Sequence, residues 1–461
     1  MLNSDIQRQQ SLTSVVTKTT DGHVRKNRSV PRSLNLDLRA VLGMPLLIGF
    51  FRKIVHVGTL TIVAPDGRVG HVGSGAPFVT IRIKDSSAIP WIVLNPDLAL
   101  GEAYMSGAVL IEAGDIYDFL NLCFANLGRS SGYGLMRFRS LMMRLGRRIA
   151  QHNPISIARA NVAHHYDLSD TLYDLFLDAS RQYSCGYYGA PSDTLEQAQQ
   201  QKKRHLAAKL LLKPGQSVLD IGCGWGGLAF DFACVADVDV TGVTLSVEQQ
   251  KYAQQLANKN GFSDRVRFLL SDYRQLHGQF DRIVSVGMFE HVGVGHYREY
   301  FAKIRDLLVE DGIALIHTIG RADGPGAANA WINKYIFPGG YVAALSEIIP
   351  AIEQAGLYIT DIEILRLHYA ETLKEWRSRF NQNRAHIVEL YDERFCRMWE
   401  FYLAGSEAAF RHSGLVNFQL QLSKRIDSVP LTRDYIQAWE QDNERKNSQE
   451  RQEGSRASNY R

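Results

Sequence analysis

An α/β fold with a mostly parallel, doubly wound sheet is predicted for the larger part of this chain, on three observations. From Asn161 onward, short runs rich in apolar and β-branched residues alternate with polar segments of helical spacing. The first of these runs passes into a glycine-rich turn that opens a helix, where such sheets bind ligands. The chain has 461 residues, 45% hydrophobic and 22% charged, which is globular composition with room for two or three domains. Five cysteines, an odd number without a CxxC pair, argue against a disulfide framework and against a zinc site, and imply a reducing compartment.

Residues 1–33 read as a flexible polar tail with no signal-peptide core. Residues 34–120 mix one helical apolar stretch with alternating runs, Gly58 to Val63 and Phe78 to Ile83, between Gly/Pro/Asp turns, which predicts a small α+β domain. The apolar stretch Ala40 to Phe51 is too short against the roughly 20 residues a spanning helix needs, so a soluble protein is expected. Residues 121–160 form a basic linker. No acid falls between Asp118 and Asp167, while Arg129, Arg137, Arg139, Arg144, Arg147, Arg148 and Arg159 alternate with apolar residues. Such a segment suits an anionic membrane surface; no nucleic-acid-binding motif accompanies it, and a solvated linker helix is the plainer alternative. Residues 161–433 carry the βα units: strands at Ser217 to Ile221, Val238 to Val243, Val266 to Leu270, Phe280 to Val286 and Gly312 to His317, with helices such as Glu248 to Asn260 and Tyr297 to Glu310 between them. Residues 434–461 form a polar tail.

The first strand runs into Asp220-Ile221-Gly222-Cys223-Gly224-Trp225-Gly226-Gly227. Alternating glycines before a helix let a ligand approach the backbone closely. A dinucleotide is one reading of that spacing, but an acid ahead of the first glycine is a poor neighbour for a pyrophosphate. It suits a ligand with a cationic amino group and a sulfonium. The loop therefore resembles motif I of the Rossmann-like class I methyltransferases that bind S-adenosylmethionine.

Further segments resemble one branch of that superfamily, the cyclopropane-fatty-acyl-phospholipid synthases and mycolic acid cyclopropane synthases. They are His164 to Asp167, Gln182 to Tyr188, Thr244-Leu245-Ser246 with Gln249, Gly287 to Gly293, His317 to Gly320 and Ile336 to Gly340; Leu98 to Gly107 resembles the N-terminal domain of the longer, phospholipid-acting members. By this resemblance Tyr183, Ser184, Gly222, Gly224, Thr244, Leu245, Gln249, Asp272 and Tyr273 contact S-adenosylmethionine. A helical lid at residues 321–355 caps an acyl tunnel, and the N-terminal domain binds lipid. Gly186 replaces an alanine common in the family.

The implied reaction adds a methylene to a cis double bond of a phospholipid acyl chain. The double bond has no proton to lose before it attacks the activated methyl, so orientation in a dry cavity must supply most of the rate. A base is needed only afterwards, to close the ring from the carbocation. The resemblance makes that base bicarbonate, held by Cys185, Glu290, His317, the backbone of Ile319, and Tyr369. Histidine and tyrosine can donate to an oxyanion, and a carboxylate can accept the anion's own proton. Aromatic faces among Tyr183, Phe289, Tyr335 and Phe337 are candidates to stabilise the cation. Taken singly, Cys185 reads as a small buried hydrophobe, His317 as a core histidine and Tyr369 as packing. The same resemblance implies unsaturated acyl chains and an anionic membrane as partners, a peripheral location on the cytoplasmic face, and compatibility with a homodimer. A sister reaction giving methyl-branched or methylene-bearing chains is one alternative, and a non-catalytic lipid-binding protein that keeps the fold is another.

Overall fold

The computed structural model describes residues 38–127, 168–443 and 445, all within the compact unit Leu38–Arg461. The polar tail at 1–33 and the arginine run from Arg129 to Arg159 lie outside the described residues.

The N-terminal part is a helix and a four-stranded sheet with three further helices: α1 (Leu38–Arg52), β1 (Gly58–Val63), β2 (Val69–Ser74), β3 (Phe78–Ile83), α2 (Ala88–Leu94), α3 (Pro96–Met105), β4 (Val109–Ala113) and α4 (Ile116–Leu127). The order is β2-β1-β3-β4, with β1 and β3 parallel and the outer pairs antiparallel. Period-two alternation sends Val79, Ile81 and Ile83 inward. The last helix runs past residue 120, where the linker was expected to begin. Helical spacing continues there and buries Leu122, Cys123 and Asn126.

The larger part contains α5 (Asp170–Asp174), α6 (Leu195–Lys209), β5 (Ser217–Ile221), α7 (Gly227–Ala236), β6 (Asp239–Thr244), α8 (Val247–Lys259), β7 (Val266–Leu270), β8 (Phe280–Val286), α9 (Tyr297–Leu307) and β9 (Leu308–Arg321). Then come α10 (Ala330–Tyr335), β10 (Ala343–Ala344), α11 (Leu345–Ala355), β11 (Tyr358–Leu365), α12 (His368–Gln382), α13 (Arg384–Leu390), α14 (Glu393–His412) and β12 (Leu415–Ser423). The sheet order is β7-β6-β5-β8-β9-β12-β11, and β10 pairs with β9. Every strand is parallel to its neighbours except β12, which runs antiparallel to β9 and β11. Helices α9 and α11 cover one face through Tyr300, Ile304, Ile348 and Ile352; Leu206, Phe232 and Ala253 of α6, α7 and α8 pack on the other.

Two differences from the sequence reading matter for the site. Strand β12 was not anticipated. It sends Phe418, Leu420 and Leu422 into the apolar core and buries Asn417, Gln419, Gln421 and Ser423 on the opposite face. The segment 321–355, expected as a lid, divides in two. Its second part, α11, is amphipathic and buries Ile348 and Ile352 in the sheet core.

The lid helix α10 meets the N-terminal part directly. A Cβ on Gly101 would lie 2.4 Å from the Trp331 indole nitrogen, so glycine is what lets α3 and α10 touch. Glu102 accepts from Lys334 Nζ at 2.6 Å and from Tyr335 Oη at 2.8 Å, and the Tyr104 hydroxyl donates to Glu400 of α14 at 2.9 Å.

Candidate active site

At the carboxyl ends of β5, β6, β7 and β8 lies a cavity of about 160 Å³ whose lining includes all nine sequence-predicted cofactor residues: Tyr183, Ser184, Gly222, Gly224, Thr244, Leu245, Gln249, Asp272 and Tyr273. Four glycines, Gly222, Gly224, Gly287 and Gly339, are in its lining. Gly222 sits at φ +85°, and a Cβ there would come within 2.9 Å of the Met288 Cβ, so this turn requires glycine on two grounds. The loop after β6 is a capped helix start: Ser246 Oγ accepts from Gln249 N at 3.3 Å. The Thr244 hydroxyl donates to Gln249 Oε1 at 2.9 Å, fixing that side chain at the cavity wall. Asp272 takes Arg274 on both carboxylate oxygens, at 2.9 and 2.7 Å, so an adenine amino group would share that acceptor. Asp220, the acid of the glycine loop, is buried and its Oδ2 has no hydrogen-bond partner among the described residues. Burial pushes its carboxyl up to about 7, with Lys202 opposing. An orphaned acid beside a glycine edge fits a ligand carrying positive charge.

None of the five residues expected to hold an anion lines that cavity. Contacts link several of them to one another, and Cys185 and Glu290 adjoin the lining residues Ser184 and His291 in sequence. Ile319 donates its backbone N–H to Glu290 Oε1 at 2.6 Å. The second oxygen, Oε2, is buried without a hydrogen bond of good geometry, and burial pushes this carboxyl up to about 7 against the Ile319 N–H and the Thr318 hydroxyl. Cys185 follows Ser184 and is fully buried, its thiol donating to Gly186 O at 3.2 Å; burial raises its pKa, which leaves it protonated and a poor nucleophile. The Thr372 hydroxyl of α12 accepts from Gly186 N at 3.0 Å, which brings α12, and Tyr369 one turn earlier, against the Cys185 segment. Cys185 and Tyr369 share one aromatic cluster, on which Ile319 packs.

His317 projects from the same face of β9 as Ile319. Its ring nitrogens lie 3.1 Å from the Asn417 amide and 3.2 Å from the Gln419 amide. A neutral imidazole donates from one nitrogen and accepts at the other, so the two amides must present opposite ends. Burial, then the nearby Lys202, holds its pKa down to about 3, which keeps the ring uncharged. An anion taking a hydrogen bond from His317 would share it with one of these amides. Asn417 and Gln419 were missed in the sequence. Their signal was the polar-apolar alternation of Asn417-Phe418-Gln419-Leu420-Gln421-Leu422.

The aromatic candidates divide. Tyr183 and Phe337 belong to the cluster beside the site; the Tyr183 and Tyr402 hydroxyls are 2.8 Å apart, and Phe337 packs edge-on to His291. Tyr335 is tied to Glu102 and stacks near Trp331. Phe289 is corrected. It turns into the core under α9, stacked on Tyr297 with ring centroids 4.4 Å apart, because its short helical turn directs Glu290, not Phe289, toward β9. Among the described residues no cluster of acids, histidines or cysteines could hold a metal.

Residues 155–420 match the family model described as mycolic acid cyclopropane synthetase, more than half of the chain. The chain belongs to that family. Residues 49–130 match a domain of unknown function, DUF7884. The cyclopropane-fatty-acyl-phospholipid synthase of Escherichia coli K12 is 39% identical over 363 residues, covering 78% of this chain and 92% of that one. The tuberculostearic acid methyltransferase UfaA1 of Mycobacterium tuberculosis is 42% identical over 278 residues, covering 58% and 65%. Among solved structures, mycolic acid cyclopropane synthase CmaA1 complexed with SAH and CTAB superposes with a TM-score of 0.55 at 34% identity, covering 57% of this chain and 97% of that one. MmaA2 from M. tuberculosis gives 0.56 at 32%, covering 59% and 99%. As a member of the cyclopropane synthase family, the chain is an S-adenosylmethionine-dependent methyltransferase with the class I fold.

Proposed function

We propose that this enzyme transfers a methylene group from S-adenosylmethionine to a cis double bond of a membrane phospholipid acyl chain, forming a cyclopropane. The observation that carries the reading is a cofactor cavity adjoined by buried polar side chains. Its lining residues Ser184 and His291 are sequence neighbours of Cys185 and Glu290, and Glu290 is hydrogen-bonded to the Ile319 N–H two residues past His317. S-adenosylmethionine supplies the methyl group when bound, with Gln249 and Asp272 at the cavity wall for its hydroxyl and amino groups and Asp220 near its positive charge. Bicarbonate, held by Cys185, Glu290, His317, Ile319 N–H and Tyr369, would supply the base that removes the surplus proton. The unpartnered Glu290 Oε2 supports that fit, because a carboxylate beside an anion needs a proton between them. The aromatic cluster of Tyr183, Trp376, Tyr402 and Phe337 keeps water from the cation.

Lipid access is read from the N-terminal part. Phe78, Trp91 and Leu94 are 66–70% exposed, and the last two share one face of α2. Large exposed apolar side chains suit a bilayer interface, and the arginine run supplies attraction to anionic headgroups on the cytoplasmic leaflet. Among the described residues no helix is long and apolar enough to cross a membrane.

The test is incubation with defined unsaturated anionic liposomes and S-adenosylmethionine, followed by lipid mass spectrometry. A gain of one CH₂ with loss of the double bond, inert to hydrogenation conditions that saturate alkenes, is the expected product. The 42% identity to a tuberculostearic acid methyltransferase favours a second reading, a methyl-branched or methylene-bearing chain. A gain of CH₂ with an alkene retained would select the methylene-bearing chain, and a gain of CH₄ with no alkene, which needs an added reductant, the methyl-branched one. Sedimentation with liposomes at low and high salt tests the docking; binding indifferent to both salt and anionic lipid would remove the arginine run from the account.

A further inference from the structure

The residues proposed to cradle bicarbonate contain no positive charge. Cys185 is a protonated thiol, His317 is neutral, Tyr369 and the Ile319 N–H are dipoles, and Glu290 is itself an acid. Moving an anion from water into such a pocket is costly unless a cation is near. Two buried lysines act on His317: Lys209 is paired with Asp361 and Glu363, whereas Lys202 is not. Lys202 of α6 is 0% exposed, and its Nζ donates to Gln182 Oε1 and Ser184 Oγ, both at 2.8 Å. These acceptors are neutral, and among the described residues no carboxylate forms an ion pair with it. One turn earlier on the same helix, Gln199 Nε2 donates to Ser184 O at 2.9 Å, so α6 grips the segment that ends in Cys185. The charged and titratable groups acting on Lys202 are Asp178 from the loop before that segment, Cys185, Asp220 from β5 and Lys203 from α6; His317 on β9 feels it in turn.

We infer that Lys202 is the counter-charge of the anion pocket, a positioning residue whose buried ammonium makes the space beside Cys185 and His317 receptive to bicarbonate. The inference rests on the proposed bicarbonate reading and adds the residue that permits it. Lys202 does not take the substrate's proton. Burial holds its pKa down to about 7, so an arriving anion stabilises the charged form and raises that value, and the anion binds more weakly as pH climbs past it.

The experiment is calorimetric titration of the full-length protein with bicarbonate in carbonate-free buffer at constant ionic strength, with S-adenosylhomocysteine bound, for wild type, Lys202→Met and Gln199→Ala. Lys202→Met keeps the apolar stem and removes the charge; Gln199→Ala removes the hydrogen bond to Ser184 O and keeps the charge. Bicarbonate affinity at least tenfold weaker in Lys202→Met, but within threefold of wild type in Gln199→Ala, is the expected result. Equal losses in both variants would mean that Lys202 only braces the segment, and would overturn the inference. Undiminished affinity in Lys202→Met would overturn it while leaving the bicarbonate reading intact; no binding to wild type would remove both. The second measurement needs no variant. In protein labelled at lysine ε-carbons with ¹³C, the lysine resonance titrating near pH 7 should move its midpoint upward when bicarbonate is added. An unmoved midpoint also counts against the counter-charge.

Discussion

The cofactor cavity and the buried cluster around Glu290 and His317 adjoin in sequence but are built from different materials. The first has glycine turns in its lining, Gly222 and Gly224 at positive φ, and a capped turn at Ser246. The second consists of buried side chains whose charges disagree with their surroundings: Glu290 pushed up, His317 and the nearby Lys202 pushed down. A backbone edge recognises shape and can be crossed by one methyl group. A side-chain pocket sets protonation, and can be disabled with no change of shape. The two should therefore fail differently.

The largest expected effect is on turnover with binding spared. Glu290→Gln keeps the volume and removes the ionisable oxygen, and should lower turnover by about 10²-fold or more, with S-adenosylhomocysteine affinity held within about twofold by calorimetry. Cys185→Ser and His317→Gln should act in the same direction. A parallel loss of cofactor affinity would merge the two pockets into one and end the comparison.

Gly222→Ala should do the reverse. Its Cβ meets Met288 at 2.9 Å and its φ is +85°, a strain of about 1–3 kcal/mol. Cofactor affinity should fall by roughly tenfold, which corresponds to about 1.4 kcal/mol, while turnover at saturating cofactor stays within a few-fold. Loss of turnover alone would mean that the glycine edge positions the reacting centre rather than the ligand.

Stability against pH separates the pockets by a third route. A carboxyl whose folded pKa is raised binds more protons in the native state between its unfolded and folded values. Glu290 therefore destabilises the fold progressively from about pH 4.5 to about 7. His317 has the opposite sign: its folded value is depressed to about 3, so it contributes stability present above its unfolded value of 6.5 and lost as pH falls. Relative to wild type, Glu290→Gln should gain about 1–3 kcal/mol across that window, read as a growing difference in unfolding midpoint. A constant offset would mean that Glu290 is not buried as a charge. Asn417→Ala, which leaves one His317 nitrogen without its amide, should cost about 1–3 kcal/mol in chemical denaturation. A smaller loss would show that water takes the amide's place.

The contrast also explains what the sequence could reveal. Strands β5, β7 and β8 were readable to the residue because buried parallel strands are short apolar runs between turns. The glycine loop was readable because close approach to a backbone leaves glycines at fixed spacing; the remaining cofactor residues came through the family resemblance. Lys202 was hidden: in Gln199-Gln200-Gln201-Lys202-Lys203-Arg204 nothing distinguishes Lys202, which meets neutral acceptors, from Lys203, buried on Asp231. Asn417 and Gln419 were not singled out, because a polar-apolar alternation reads the same whether water or His317 lies opposite. Phe289 misled for a related reason. Its motif is recognisable, but which neighbour of a short turn faces the ligand depends on where α9 packs.

The smallest expected effect lies furthest from both pockets, at the contact between α3 and the lid helix. Glu102 and Lys334 are 35% and 53% exposed, so their ion pair should contribute less than about 1 kcal/mol, even with the Tyr335 hydroxyl added. The buried part of the contact is Trp331 over Gly101, its indole N–H donating to Met105 Sδ at 3.3 Å. Glu102→Gln should thus leave the unfolding midpoint, cofactor affinity and turnover on liposomes nearly unchanged, whereas Gly101→Val must displace Trp331 and with it the lid. If Glu102→Gln instead slows turnover on liposomes several-fold while cofactor affinity holds, the lid is set by the charged rim rather than by the tryptophan, and the N-terminal part acts on the lipid side of the reaction through that one carboxylate.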